Sequence, residues 1–343
     1  MKTIDRLKML TDIPCITGFE SLSAEAFSRY LEPLCDEVFV NNLGCISATK
    51  HGSGKSPKKI LIDAHCDRIG LIVTGIDENG FISFSALGGI DERTLPACEV
   101  YILGKKPVYG VIGAKPPHLL TNADKKASVK IKNMLIDTGK PAEFLNENIS
   151  VGDPIMIRAE LFPLLGDRVT AGALDNRAGV CALFGLLEMI SENNAQNTVT
   201  IKLTPGEEMG LHGAYTAACD GDYDLAVTVD TTFARTPGAP KHQTFEIGSG
   251  AIICRGPNLH PTYTNRLTAL AREKNIPFDI EVASGSSGTN AWAYQTSGGG
   301  IPSVLISIPL RAMHTTAEVV SLKDIENVSK LLYEIAKGGV FDA

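Results

Sequence analysis

Lys59-Ile60-Leu61-Ile62-Asp63-Ala64-His65-Cys66-Asp67 is the stretch on which the reading of this chain turns. Its apolar run does not alternate, which is the pattern of a strand covered on both sheet faces. It closes on a histidine and an aspartate, side chains that are costly to bury without partners. The same arrangement recurs downstream. Segment 199–203 leads through Thr204-Pro205-Gly206 to Glu207-Glu208, segment 225–229 delivers Asp230, and segment 304–309 leads to His314. In open α/β sheets the carboxyl ends of the strands form the ligand crevice, so these distant residues are predicted to converge.

Outward from that strand the texture changes twice. On the amino-terminal side, Thr17-Gly18-Phe19-Glu20 has capping-box spacing and precedes Phe27, Tyr30 and Leu31 at helical intervals, predicting a helix over 18–32. Residues 38–40, the turn Asn41-Asn42-Leu43-Gly44 and residues 45–49 read as a hairpin. From 70 to 166, short strands (70–76, 81–84, 100–103, 108–112, 153–158) separated by turns such as Asp77-Glu78-Asn79-Gly80 read as a small β-barrel or sandwich. Beyond it helices (176–190, 263–274, 322–337) alternate with strands (198–203, 225–229, 304–308). The fold class is α/β, with residues 1–69 and 167–343 forming one domain and the β-rich 70–166 inserted in it. A chain of 343 residues has room for two such units.

Composition narrows the function. A net charge of -7 with scattered Lys and Arg gives no basic stripe, so nucleic acid is not an expected partner. The start is charged at once and no apolar run is long enough to span a bilayer, so a cytoplasmic protein with no membrane partner is expected. The eight cysteines include no Cys-x-x-Cys pair and read as reduced thiols. Cys66 should turn away from its neighbours into apolar packing and takes no catalytic role.

Each chemical piece has a plainer reading alone. His65 would be a structural histidine, Asp230 a turn or cap, and Glu207-Glu208 a solvated turn. Together, two histidines and several carboxylates are the nitrogen and oxygen set that suits zinc, cobalt or manganese. Adjacent carboxylates in one crevice repel, and the conflict is relieved if Glu208 is neutralised by a cation while Glu207 accepts a proton from water. Asp67, two residues beyond His65, is placed to orient the imidazole. Asp175, which opens an apolar helix, reads by itself as a helix cap.

These pieces resemble a known family, the metal-dependent aminopeptidases of the glutamyl aminopeptidase and endoglucanase-like group, including the tetrahedral TET peptidases. The matching segments are His65-Cys66-Asp67-Arg68-Ile69-Gly70, Ala173-Leu174-Asp175-Asn176-Arg177-Ala178-Gly179, Glu207-Glu208-Met209-Gly210-Leu211-His212-Gly213-Ala214, Thr228-Val229-Asp230, Gly288-Thr289-Asn290-Ala291 and Pro309-Leu310-Arg311-Ala312-Met313-His314. The resemblance implies a zinc-peptidase-like domain with a central mixed sheet flanked by helices, and a small barrel or PDZ-like insert that mediates association into a homo-oligomer as large as a dodecamer. It implies two divalent ions per subunit, zinc or cobalt with manganese a third choice. Asp175 would bridge them, with His65 and Asp230 on one ion and Glu208 and His314 on the other. It further implies that Glu207 is the general base on a metal-bridging water, that Asp67 backs the first histidine, and that the Asp175–Asn176 peptide is cis. Peptides would then lose their N-terminal residues. Three positions depart from the family pattern: Arg68 replaces an acidic residue, Asn290 an Asp and Ala312 an aromatic one. Two other readings compete. An endoglucanase-type glycoside hydrolase would use two carboxylates as acid and base, leaving both histidines and Asp175 unexplained. A non-catalytic oligomeric binding protein would have no need of Glu207.

Overall fold

The computed structural model describes residues 1–120 and 128–341. Helices α1 (Thr3–Thr11) and α2 (Ala24–Leu31) turn Leu7, Leu10, Phe27 and Leu31 into the main core. The expected hairpin follows as β1 (Glu37–Val40) and β2 (Ile46–Lys50), with Val40 opposite Ile46. Asn41 Oδ1 closes its turn by accepting from the N–H groups of Leu43 and Cys45. Strand β3 (Lys59–His65) is buried from Ile60 onward, as an unbroken apolar run requires.

The next strands curl into a closed barrel. They are β4 (Gly70–Ile76), β5 (Phe81–Leu87), β6 (Glu99–Leu103), β7 (Pro107–Ala114), β8 (Met134–Asp137) and β9 (Pro154–Ile157), in the order β4-β5-β8-β7-β6-β9. Alternation along β7 and β5 sends Val108, Ile112, Ile82 and Phe84 inside. Helix α3 (Ala142–Asn148) adds Leu145 to the same core. Closure leaves no strand edge within the barrel.

After β10 (Phe162–Pro163) and β11 (Arg168–Ala171) the chain returns to the large unit with α4 (Leu174–Asn193), β12 (Thr198–Thr204), α5 (His212–Ala217), β13 (Leu225–Phe233), β14 (Ala251–Arg255), α6 (Pro261–Glu273), β15 (Phe278–Val282), α7 (Ala291–Thr296), β16 (Ser303–Leu310), β17 (Glu318–Ser321) and α8 (Leu322–Ala336). Eight strands form one mixed sheet in the order β1-β2-β12-β3-β13-β16-β14-β15, parallel from β12 through β16. Helices α1, α4, α6 and α8 pack one face, while α5 and α7 cover part of the other. Helix α4 is buried almost end to end, so truncating Leu183 or Leu186 should cost about 2–5 kcal/mol. Arg177 is fully buried in it and ties three segments together, donating to the carbonyls of Leu10, Ile13 and Cys66 beneath the Phe27 ring.

Several local expectations are corrected. The Thr17/Glu20 capping box does not form, and the helix over 18–32 is a short 3-10 turn followed by α2. Glu20 Oε1 accepts instead from the N–H groups of Gly18 and Gly206, reaching into another loop. Asp230 does not end its strand, because β13 continues to Phe233. Asp67 lies just beyond β3 rather than in it. Helix α1 and strands β8, β14 and β15 are additions that the hydropathy pattern did not reveal. Among the described residues no helix is long and apolar enough to cross a membrane, and all eight cysteines are unpaired.

Candidate metal centre

The parallel strands deliver the predicted residues to one end of the sheet. His65 closes β3, Asp230 sits on the neighbouring β13, Glu207 and Glu208 follow β12, and His314 follows β16. Asp175 arrives from the start of α4, and its plain reading as a cap fails. No side chain caps that helix, Asp175 has non-helical φ/ψ of -81° and 105°, and the Asp175–Asn176 peptide is cis.

The side chains form two groups that share Asp175. His65, Asp175 and Asp230 make one, and Asp175, Glu208 and His314 the other, the ligand atoms within each lying within 4.8 Å of one another. His65 Nε2 lies 3.3 Å from Asp175 Oδ1 and 3.6 Å from Asp230 Oδ1. His314 Nε2 lies 3.4 Å from Asp175 Oδ2 and 3.3 Å from Glu208 Oε2. One carboxylate thus turns one oxygen to each histidine.

Electrostatics record the crowding of acids. Burial lowers the His65 imidazolium, but hydrogen bonds to Asp175, Asp230 and Asp67 outweigh it and raise its pKa well above the ordinary value. For His314, bonding to Asp175 and Glu208 pushes it up to about 11. Burial would raise Asp175, yet the bonds from His314 and His65 hold it well below the usual carboxylate range. Glu207, half-buried beside this cluster, is pushed up to about 9 by burial, with Asp230, Asp175 and Glu208 adding to the rise and His65 opposing it. His65, Asp175, Glu207, Glu208, Asp230 and His314 line a cleft of about 270 Å³. A buried set of carboxylates and imidazoles with too little positive charge is suited to divalent cations.

Comparison with known proteins agrees with this geometry. The profile of the M42 glutamyl aminopeptidase family matches residues 44–331. The chain belongs to that family. It is 30% identical over 332 residues to the lysyl aminopeptidase of Pyrococcus furiosus, covering 95% of this chain and 94% of the relative. Among solved structures it is similar to a TET aminopeptidase from a marine sediment Thaumarchaeota archaeon, with a TM-score of 0.91, 29% identity and 98% of each chain covered. It is also similar to the TET1 peptidase of Pyrococcus horikoshii, described as assembling into a tetrahedron or a large octahedral shell, with a TM-score of 0.86, 28% identity and 98% and 99% of the two chains covered. M42 proteins are metallopeptidases, and this M42 chain is a hydrolase with peptide aminopeptidase activity.

The cluster of this M42 peptidase is held mostly through backbone groups. His65 Nδ1 lies 3.2 Å from the Asp67 carbonyl and 3.4 Å from its carboxylate, which also accepts from the backbone N–H groups of Glu207 and Glu208, at 3.1 Å each, so Asp67 ties the His65 ring to the segment carrying both glutamates. Glu20, bonded to Gly206 N at 2.8 Å, steadies the turn before them. Glu318, on β17, accepts from Asp175 N at 3.2 Å and His314 N at 2.7 Å, and burial pushes it up to about 8. Asn176 ties α4 to β13 by donating to Val229 O and accepting from Gly179 N. The barrel takes part as well. His314 Nδ1 lies 2.8 Å from Gly89 O in the loop after β5, and a Cβ on Gly89 would come within 2.9 Å of that ring nitrogen. Glu20, Glu318 and Gly89 were not anticipated from sequence, since each acts through a peptide group far away along the chain.

The three departures lie around the centre rather than in it. Arg68 is buried beside Glu318, donates to Ile157 O, and is lowered to about 10 by burial and by Arg177. Asn290 donates to Asp63 Oδ2 and to Thr204 Oγ1 beneath the strands, where an aspartate would face the buried Asp63 carboxylate. Ala312 takes φ +56° in the loop that carries His314. Cys66 packs in the main core, its Sγ 3.9 Å from that of Cys15.

Proposed function

We propose that this M42 peptidase removes N-terminal residues from peptides at a centre of two divalent ions, one held by His65, Asp175 and Asp230 and the other by Asp175, Glu208 and His314. The observation that supports this most is that the two oxygens of Asp175 face different histidines, each accompanied by its own second carboxylate. The ligand set fits zinc or cobalt, with manganese as a third choice. When bound, such ions polarise a carbonyl and acidify water.

The remaining steps belong to the chain. Glu207 is the general base, taking a proton at its carboxylate from the attacking water and returning it to the departing amine. Asp67 is a positioning residue that fixes the His65 ring through Nδ1 and leaves Nε2 turned to the ligand side. A glycosidase would have no role for the two histidines, and a non-catalytic binding protein none for Glu207 in the cleft.

The solved relative that assembles into a tetrahedron supports a homo-oligomer here, up to a dodecamer, with the 70–166 insert contributing to association. Light scattering at working concentration should show a particle several times the mass of the 36.6 kDa chain. The activity is tested with aminoacyl amides: hydrolysis lost on chelation, restored by zinc or cobalt and abolished in Glu207→Gln supports the reading. Chelator-insensitive release of sugar from a glucan, with no amide hydrolysis, would refute it.

A further inference from the structure

The cleft continues past the metal centre along the sheet. Leu305 and Ser307 of β16 and Cys254 of β14 form its floor, and the register carries the same row to the edge strand β15, where Glu281 stands opposite Cys254. Residues paired across neighbouring strands share a face, so Glu281 lies on the face that carries Asp230. Thr232 donates to Glu281 Oε1 at 2.9 Å. Thr232 is two residues beyond Asp230, so the Glu281 carboxylate is held roughly 6–7 Å along β13 from that aspartate. That is about the reach of a lysine side chain.

Glu281 has no place in the chemistry above. It belongs to neither group of candidate ligands, and among the described residues no lysine or arginine lines the cleft. Burial pushes its carboxyl above the ordinary range, and the charge of Asp230 adds to the rise. A carboxylate at the end of a channel floored by a leucine and a cysteine matches a side chain with an apolar stem and a cationic tip.

We infer that Glu281 is a specificity-determining residue that selects substrates with a lysine or arginine at the N-terminus, its carboxylate pairing with the side-chain cation while Leu305 and Cys254 take the methylene stem. The inference rests on the aminopeptidase reading, because only a first residue anchored at the metal centre sends its side chain along this floor. A glutamyl N-terminus would meet like charge at Glu281 and be disfavoured.

The test compares L-lysinamide with L-norleucinamide, which shares the stem and lacks the ammonium. Kinetics are measured on the zinc-loaded or cobalt-loaded enzyme, and binding by calorimetry on Glu207→Gln, which should hold the amide without turning it over. A charge-assisted contact predicts that lysinamide is preferred by roughly ten- to hundred-fold in kcat/KM and in affinity. Glu281→Gln should remove that preference, mostly through KM, and leave norleucinamide within about two-fold. Glu281→Lys should turn the preference toward L-glutamic acid α-amide. Equal treatment of lysinamide and norleucinamide by the unmodified protein overturns the inference, as does an equal loss on both substrates in Glu281→Gln. Hydrolysis of norleucinamide that depends on Glu207 separates the two claims, since it upholds the aminopeptidase chemistry whatever Glu281 does. If neither amide is hydrolysed, that chemistry fails, and the binding comparison still decides the role of Glu281.

Discussion

The two halves of the proposed metal centre share Asp175 but are built differently. His65 and Asp230 sit on adjacent parallel strands, buried to 1% and 5% exposure, with Asp67 behind the ring. His314 stands on a loop with φ +61°, its side chain 30% exposed, and its ring leans on a carbonyl of the barrel. A sheet flanked by helices over-determines the first half, whereas the second depends on the loop carrying His314 and the loop carrying Gly89. Ligands on rigid elements need less ordering when an ion arrives, so the His65 half should bind its ion more tightly.

Removing what the halves share should have the largest effect. Asp175→Ala should abolish both sites and lower kcat/KM at least about 10³-fold, because groups acting as a unit fail together. Elemental analysis after dialysis, alongside the amide assay, checks this, and retention of two ions would break the account. Glu207→Gln should lower kcat by roughly 10²–10⁴-fold while leaving the metal content unchanged.

The comparison itself is tested by the paired histidine variants. His314→Ala should keep one tightly held ion per chain and His65→Ala none, as read by zinc titration. The opposite order would show that loop placement matters less than ligand chemistry. A smaller effect is expected for Gly89→Ala, which crowds the His314 ring from the barrel side and should weaken only the second ion, by about 10–100-fold as supporting contacts usually do.

The smallest effect concerns protons. Without an ion, His314 is held up to about 11 and is charged at neutral pH. A raised histidine pKa favours the ion-free site while the proton is present, and that advantage fades as pH rises. Loading should therefore release protons and strengthen as pH rises toward about 11. Calorimetry in buffers of different ionisation enthalpy reads the release directly, and uptake of protons would contradict the assignment of His314.

Much of this was legible from local pattern. The unbroken run Ile60 to Ala64 and the Asn41–Gly44 turn announce a buried strand and a hairpin through short-range chemistry alone, and the residues at the strand ends assemble as the parallel topology requires. What stayed hidden depends on long-range backbone contacts. Glu20 looks like half of a capping box because Thr17 stands three residues before it, yet its partner is the amide of Gly206, 186 residues away. Gly89 and Glu318 act through a carbonyl and a pair of amides, groups that every residue carries and no sequence pattern marks. Strand β15 was hidden for a different reason. It is a half-exposed edge whose Asp279 and Glu281 interrupt the apolar signal, and one of those interruptions becomes the proposed specificity residue.

Calorimetric titration of the metal-free protein with zinc tests the central claim most directly. The account predicts two ions per chain bound with unequal affinities, the weaker step alone disappearing in His314→Ala and both steps in Asp175→Ala. A single ion per chain in the unmodified protein, or two unaltered steps in Asp175→Ala, would contradict it.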